Sequence, residues 1–168
     1  MDQKKMSELW DAYDNNFKKI SDITLVRGES IPDGIYHLVC EIIVKHIDGT
    51  YLLMQRDFRK PYGGMWEVTA GGSALKGENP LMGAIRELKE ETGLVAKDIK
   101  EIKRIIHDVH HALYVEYLCV TDCEKNSIIL QEGETVDYKW IDRNTLLEMG
   151  EDEIASERAI KLIKEFDI

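Results

Sequence analysis

The order of apolar and polar residues divides the chain into short elements. The run YHLVCEIIVKHI, residues 36–47, is rich in β-branched and aromatic side chains and long enough for a buried strand. It follows a Pro32-Asp33-Gly34 turn, and Asp48-Gly49 closes a hairpin onto a second strand, YLLMQR, residues 51–56. After a loop rich in glycine and cations, residues 57–66, a short strand is predicted from Trp66 to Thr69. Residues 101–107 and 112–120 read as strands, and VDYKWI, residues 136–141, alternates as a further one. Asn79 followed by Pro80 is a helix start and Gly93 a helix stop. At about 100° per residue, Leu81, Ala84, Ile85, Leu88 and Thr92 share one stripe of that helix, with Glu91 and then Glu87 beside it and Glu90 further round. Asp142-Arg143-Asn144 opens a helical region. EDEIASERAIKLIKEF, residues 151–166, predicts an amphipathic final helix with Ile154, Ala159 or Ile160, and Ile163 or Phe166 facing inward. From Glu8 to Ile20, the polar turn Asp14-Asn15-Asn16 separates apolar segments and fits a hairpin, with a helix as the alternative.

Helices covering a mixed sheet give an α/β class, and 168 residues suit one domain, 1–168, with residues 1–35 as an N-terminal extension packed on it. Charge narrows the partners: 22 Lys and Arg against 32 Asp and Glu leave a net −10 with no basic cluster, which disfavours a nucleic-acid polymer or an anionic membrane surface. Cys40, Cys119 and Cys123 are odd in number and lack a C-x-x-C pair, so unpaired thiols in a reducing cytoplasm are expected. MDQKKMSELW lacks the apolar core of a signal peptide, and no run approaches ~18 apolar residues.

The chemistry concentrates in residues 72–94, GSALKGENPLMGAIRELKEETGL. A Glu-rich helix is usually a solvated face laced with charge pairs, and Arg86 to Glu90 at i,i+4 would serve as one. That reading does not ask for Glu87 and Glu91, four residues apart, beside a third carboxylate, Glu90. Like charges at that spacing repel, so a neutralising partner is expected. Oxygen-only ligands select a hard cation, Mg2+ or Mn2+, suited to gripping a small-molecule diphosphate.

Gly72, Glu78, Arg86, Glu87, Leu88, Glu90, Glu91, Gly93 and Leu94 together match the signature box of the Nudix hydrolases, which this chain resembles. The resemblance implies an α/β/α sandwich with a mixed β-sheet and a loop-helix-loop in which Glu87, Glu90 and Glu91 bind Mg2+ or Mn2+. By the same carry-over, Arg86 is a structural partner of the carboxylates and Glu78 an outer group near the metal. Gly71 and Gly72 allow close approach of the backbone. The segments RGESIPDGIYHL, LLMQRDFRK and GGMWEVTAGG extend the likeness to the branch that includes type I isopentenyl-diphosphate isomerase and its hydrolase relatives. In that branch an arginine and a lysine four residues on hold the diphosphate, here Arg56 and Lys60; Arg59 is a weaker candidate. A box glutamate, Glu90 or Glu91, or a later-loop carboxylate, Glu132 or Glu134, would supply the general base.

The isomerase itself is the alternative, and its motif is broken: Gly71 stands where it has its cysteine and Ser73 where it has a histidine ligand. Of an earlier histidine pair only His37 has a counterpart, the other position being Ser30, so His37 reads as a strand histidine. A non-catalytic nucleotide-sensing module would be expected to lose box carboxylates, and all are present. Every proline lies at or before Pro80, so the downstream proline of ADP-ribose-cleaving members is absent. Trp66, Tyr114, Tyr117, Tyr138 and Trp140 are candidate stacking surfaces that more often belong to a core. His107, His110 and His111 read as loop residues, and a homodimer through the N-terminal segment or last helix is an open expectation.

Overall fold

The structure, a computed structural model, describes residues 7–168. Its chain order is β1 (Leu9–Tyr13), β2 (Lys19–Val26), β3 (His37–His46), β4 (Tyr51–Arg56), β5 (Trp66–Glu67), β6 (Thr69–Ser73), α1 (Pro80–Thr92), β7 (Asp98–His107), β8 (Ala112–Thr121), β9 (Thr135–Ile141), α2 (Arg143–Leu147) and α3 (Arg158–Phe166). β3 is central and pairs in parallel with β8 along its whole length, while β7 closes that side antiparallel to β8. On its other edge β3 holds β6 from Val39 to Ile43 but meets β4 only at the hairpin pair Lys45 and Tyr51. β4 instead pairs with β9 and β5. The sheet therefore forks between β6 and β4.

Alternation along β3 sets the layers. Cys40, Ile42 and Val44 face α1 and pack with Ala84, Leu88, Leu113 and Val115. Ile43 faces the opposite way and packs with Leu53, Leu118, Ile160 and Ile163 under α3. The result is the expected α/β/α sandwich on a mixed sheet. Cys40 and Cys119 are buried, Cys123 is partly so, and all three are free thiols.

Residues 8–20 adopt the hairpin rather than the helix: β1 and β2 form a separate two-stranded sheet around Trp10, Ala12 and Leu25. Reciprocal backbone bonds between Tyr13 and Tyr36, both 2.9 Å, tie it to the start of β3. Asp11 accepts a 2.8 Å bond from the Gly77 amide, and the Lys76 amide donates to the Leu9 carbonyl at 2.8 Å.

Four expectations are corrected. In α1 the buried positions are Gly83, Ala84, Leu88, Glu91 and Thr92, whereas Leu81 and Ile85 are exposed. The rotation follows from Gly83, where an added Cβ would lie 3.2 Å from both Ala74 Cβ and Cys40 Sγ; without it the helix approaches the sheet on that side and turns Glu91 inward. The strand predicted over 66–69 is two, β5 and β6, with β6 continuing to Ser73 through the double glycine. β7 begins at Asp98 rather than 101. The final helix starts only at Arg158, and Phe166 is exposed. Upstream, Trp66 donates to the Glu153 carbonyl at 2.8 Å and accepts from the Ala155 amide at 2.9 Å, so tertiary pairing holds Ile154 extended and buried where periodicity alone favours helix.

Candidate active site

α1 is fixed at both ends. The Asn79 side chain accepts from the Met82 amide at 2.8 Å, Pro80 fills the first turn, and Gly93 ends the helix at φ 77°. This places Glu87, Glu90 and Glu91 beside the double glycine of β6. Glu91 is buried and accepts a 3.1 Å bond from the Gly71 amide. Desolvation, with repulsion from Glu67 and Glu87, holds its pKa well above the usual carboxylate range. Burial also raises Glu87, where Arg86 opposes the shift. Glu87 occupies the space left by Gly72: an added Cβ there would lie 2.6 Å from its Oε1.

Arg86 is the hub of the box. It donates to both oxygens of Glu78 at 2.8 and 2.9 Å, to Glu87 at 2.9 Å, to Glu90 at 3.2 Å and to the Ser73 carbonyl at 3.1 Å. Burial disfavours the Glu78 charge, but Arg86 and a 2.7 Å bond from the Leu75 amide outweigh it and hold the pKa down. Glu78 thus braces the arginine that braces the helix carboxylates.

The fork in the sheet supplies the cations. Arg56, at the end of β4, pairs with Glu67 and donates from Nε to the Pro61 carbonyl at 2.8 Å. Lys60 pairs with Glu134. Both cations and both partners line a cleft of about 240 Å3 whose walls also include Gly71, Gly72, Glu87, Glu90 and Glu91. The remaining candidates lie elsewhere. Glu132 is exposed and absent from the cleft wall. Arg59 folds onto Asp57 at 2.7 Å. None of the five aromatic stacking candidates lines the cleft; Tyr114 instead carries the Arg158 guanidinium at 3.9 Å and Trp66 the Lys139 ammonium at 4.1 Å. His37 stacks on Trp10 with ring centroids 4.1 Å apart, and His107 stacks on His110 at 4.5 Å.

Sequence reasoning singled out neither Val39, Glu67 nor Gln131 of the wall, nor Glu8 and Arg27 from the N-terminal hairpin. A signal for Glu67 existed, a carboxylate in an apolar strand just ahead of the double glycine. Nothing local marks Glu8 or Arg27, because the hairpin reaches the cleft only through tertiary docking. A larger groove of about 600 Å3 runs along α3 past Tyr62, Met65, Ile105 and Leu162, but contains no box residue.

Six wall carboxylates, Glu8, Glu67, Glu87, Glu90, Glu91 and Glu134, face three wall cations, Arg27, Arg56 and Lys60. Such an excess in a partly desolvated cleft favours added positive charge. Arg86 draws Glu87 and Glu90 to itself, and among the described residues no three acidic, imidazole or thiol side chains are gathered for ligation. The donor chemistry, hard oxygens at the end of one helix, nevertheless fits a divalent cation able to displace Arg86 contacts.

Comparison with known proteins agrees with this geometry. The family model described as "NUDIX domain" matches residues 36–165. An uncharacterized Nudix hydrolase of Listeria innocua, lin0387, is 30% identical over 141 residues, covering 83% of this chain and 82% of the relative. An ADP-ribose pyrophosphatase of Bacillus subtilis is 27% identical over 156 residues, 89% and 76% of the two chains. Among solved structures, DR0079 of Deinococcus radiodurans superposes with a TM-score of 0.74 at 14% identity, covering 94% of this chain and 98% of the other. The NUDIX domain of Shewanella oneidensis NrtR complexed with ADP ribose does so with a TM-score of 0.63 at 19% identity, covering 79% and 89%. With the box residues, the sandwich and the match over 36–165 in agreement, the chain belongs to the Nudix hydrolase family.

Proposed function

We propose that the protein hydrolyses the diphosphate linkage of a nucleoside diphosphate derivative or similar X-linked diphosphate, with Mg2+ or Mn2+ held by Glu87, Glu90 and Glu91. The observation that carries this reading is the meeting, in one cleft, of the box carboxylates with Arg56 and Lys60. The bound cation would polarise phosphorus and lower the pKa of a coordinated water. Arg56 and Lys60 receive phosphate oxygens, exchanging Glu67 and Glu134 for the substrate. Glu134, released from Lys60 on the cleft wall, is the better placed of the two loop carboxylates to accept the proton of the attacking water on its carboxylate oxygen. Glu91, pinned to Gly71, and Glu90, beside Arg86, keep the helix carboxylates oriented.

The likeness to the isomerase branch rests on Arg56, Lys60 and the strand segments, while the isomerase reaction lacks its cysteine. A side chain at position 71 has no room, since a Cβ there would lie 2.1 Å from the Cys40 carbonyl oxygen. For the leaving group, the Bacillus relative points to ADP-ribose and the absent downstream proline points away from it. No helix among the described residues is long and apolar enough to cross a membrane.

The test is turnover with Mg2+ and with Mn2+ of nucleoside di- and triphosphates, dinucleotides, nucleotide sugars, ADP-ribose and isopentenyl diphosphate, read as phosphate or pyrophosphate release and, where cleavage leaves two phosphomonoesters, as phosphate freed from them by an added phosphatase, beside Glu91→Gln. Hydrolysis of one class, lost in folded Glu91→Gln, is expected. A fully active variant would overturn the mechanism, and silence across the panel despite Mg2+ binding would favour a sensing module.

A further inference from the structure

The N-terminal hairpin lies outside the matched family segment, 36–165, yet contributes two residues to the cleft wall. Its open end is closed by a double link. The Arg27 amide donates to the Glu8 carbonyl at 2.9 Å, and Arg27 Nη1 meets Glu8 Oε2 at 3.1 Å. The same Glu8 oxygen accepts from the Trp10 indole at 3.2 Å. Trp10 is buried and stacks on His37, whose Nδ1 lies 3.3 Å from Ser73 Oγ on the cleft wall. Lys76, in the loop ahead of α1, also donates to Thr24 Oγ1 at 2.7 Å. A continuous run of contacts thus aligns Glu8 and Arg27 with the box.

Donor and acceptor chemistry tells what this pair recognises. A bare phosphate is an acceptor: to use Arg27 it would have to displace Glu8, which the Trp10 indole also holds, whereas Glu67 and Glu134 have no second side-chain partner among the described residues. No aromatic side chain among the described residues lines the cleft, and the Arg27 guanidinium, which could itself stack, is engaged by Glu8. A sugar hydroxyl donates and accepts at once, matching a carboxylate and a guanidinium fixed side by side. In the reading of the cleft as a diphosphate site, the diphosphate is already served by Arg56, at the end of β4, and by Lys60, in the loop that follows.

We infer that the hairpin is the selecting arm of the cleft: Arg27 donates to, and Glu8 accepts from, the hydroxyls of a polyhydroxylated group esterified to the diphosphate. The inference rests on the reading of the cleft as a diphosphate site. Both residues are at least partly exposed, and glutamine at position 8 keeps an oxygen that can accept from the Trp10 indole.

The experiment is calorimetric binding of two probes, ADP-ribose and inorganic pyrophosphate, to the full chain with Ca2+ in place of Mg2+ to slow turnover. Wild type, Arg27→Ala, Glu8→Gln and Arg56→Ala are compared. Arg27→Ala and Glu8→Gln are expected to weaken ADP-ribose about tenfold, the scale of one charge-assisted hydrogen bond, and pyrophosphate by about twofold or less. Arg56→Ala is expected to weaken both. Equal loss of both probes in Arg27→Ala, or loss of neither, overturns the hairpin's role while leaving the cleft reading intact. A wild type that binds neither probe, or an Arg56→Ala variant that binds both normally, overturns the cleft reading and the inference with it.

Discussion

Gly71→Ala and Gly72→Ala add the same methyl group at adjacent positions, and the structure assigns them opposite outcomes. At Gly72 the new Cβ would sit 2.6 Å from Glu87 Oε1, against an ordinary contact of about 3.4 Å, so the carboxylate must retreat by about 0.8 Å. The obstacle is the end of a flexible side chain, and the cost to folding stays within about 1 kcal/mol. The function does not escape so lightly, because a misplacement of about 1 Å in a reacting constellation lowers rate about 100-fold. At Gly71 the new Cβ would meet the Cys40 carbonyl oxygen at 2.1 Å and the Glu41 Cα at 2.9 Å, both backbone atoms of β3. Neither can yield without breaking the pairing of β3 with β6, so Gly71→Ala loses more than the ~1–3 kcal/mol usual for overpacking. The assay is urea unfolding of each variant, followed by kcat/KM and by the Mg2+-induced rise in Tm. In the wild type that rise reflects about 2.7 kcal/mol at Mg2+ one hundred times its Kd. Gly72→Ala should unfold like wild type, lose most of the Mg2+ response and turn over about 100-fold more slowly. A Gly72→Ala protein with wild-type turnover and Mg2+ response would refute the proposal that Glu87 is a metal ligand.

Glu91→Gln should stop turnover yet leave the metal-free protein at least as stable as wild type, because it replaces a carboxyl whose charge is disfavoured by burial and by Glu67 and Glu87; a Tm lowered without metal would count against this. Burial holds His37 down to about 4, so below pH 6.5 the unfolded chain binds the proton that the folded chain refuses and stability falls with pH. By pH 5 that loss is about 2 kcal/mol relative to neutral pH, and urea midpoints of His37→Gln should show a flatter acid limb. Arg158 bridges Glu41 at 2.6 Å and the fully buried Glu116 at 2.9 Å, so Arg158→Met leaves two carboxylates facing each other and should cost about 3–5 kcal/mol. A loss under 1 kcal/mol in urea would show that the two carboxyls settle the charge between themselves by sharing a proton.

The box helix was legible because each of its signals is local: Asn79, Pro80 and Gly93 cap it, and the glutamate spacing survives any rotation of the helix. The rotation itself was not legible. Counting apolar residues places Leu81 and Ile85 inside, but Gly83 contributes no hydrophobicity to that count and still decides which side meets the sheet. The final helix was overextended for the opposite reason, a pattern that fits helix but is captured by backbone pairing with Trp66. The resemblance points to Arg56 and Lys60, and the structure shows both on the cleft wall beside carboxylate partners. Glu41, Glu116 and Arg158 form a charge cluster around the buried Glu116 that joins residues up to 117 positions apart, which no window along the chain can show.

The central ladder has a consequence for how the chain emerges from the ribosome. His37 finds its partner at Ala112 and His46 at Thr121, so every rung of the β3–β8 pair spans 75 positions. At roughly 5–20 residues per second, the central strand waits about 4–15 s for its neighbour to be made. Until then one edge of Cys40, Ile42, Ile43 and Val44 stays open, although the hairpin with β4 and the later β6 can occupy the other. Nascent chains ending between His46 and Thr121 therefore carry a sticky strand edge not yet fully paired, the state that holdase chaperones bind and that aggregates recruit. The box helix is complete well before that point, and the acidic cleft it serves acquires a stable floor only when β8 arrives.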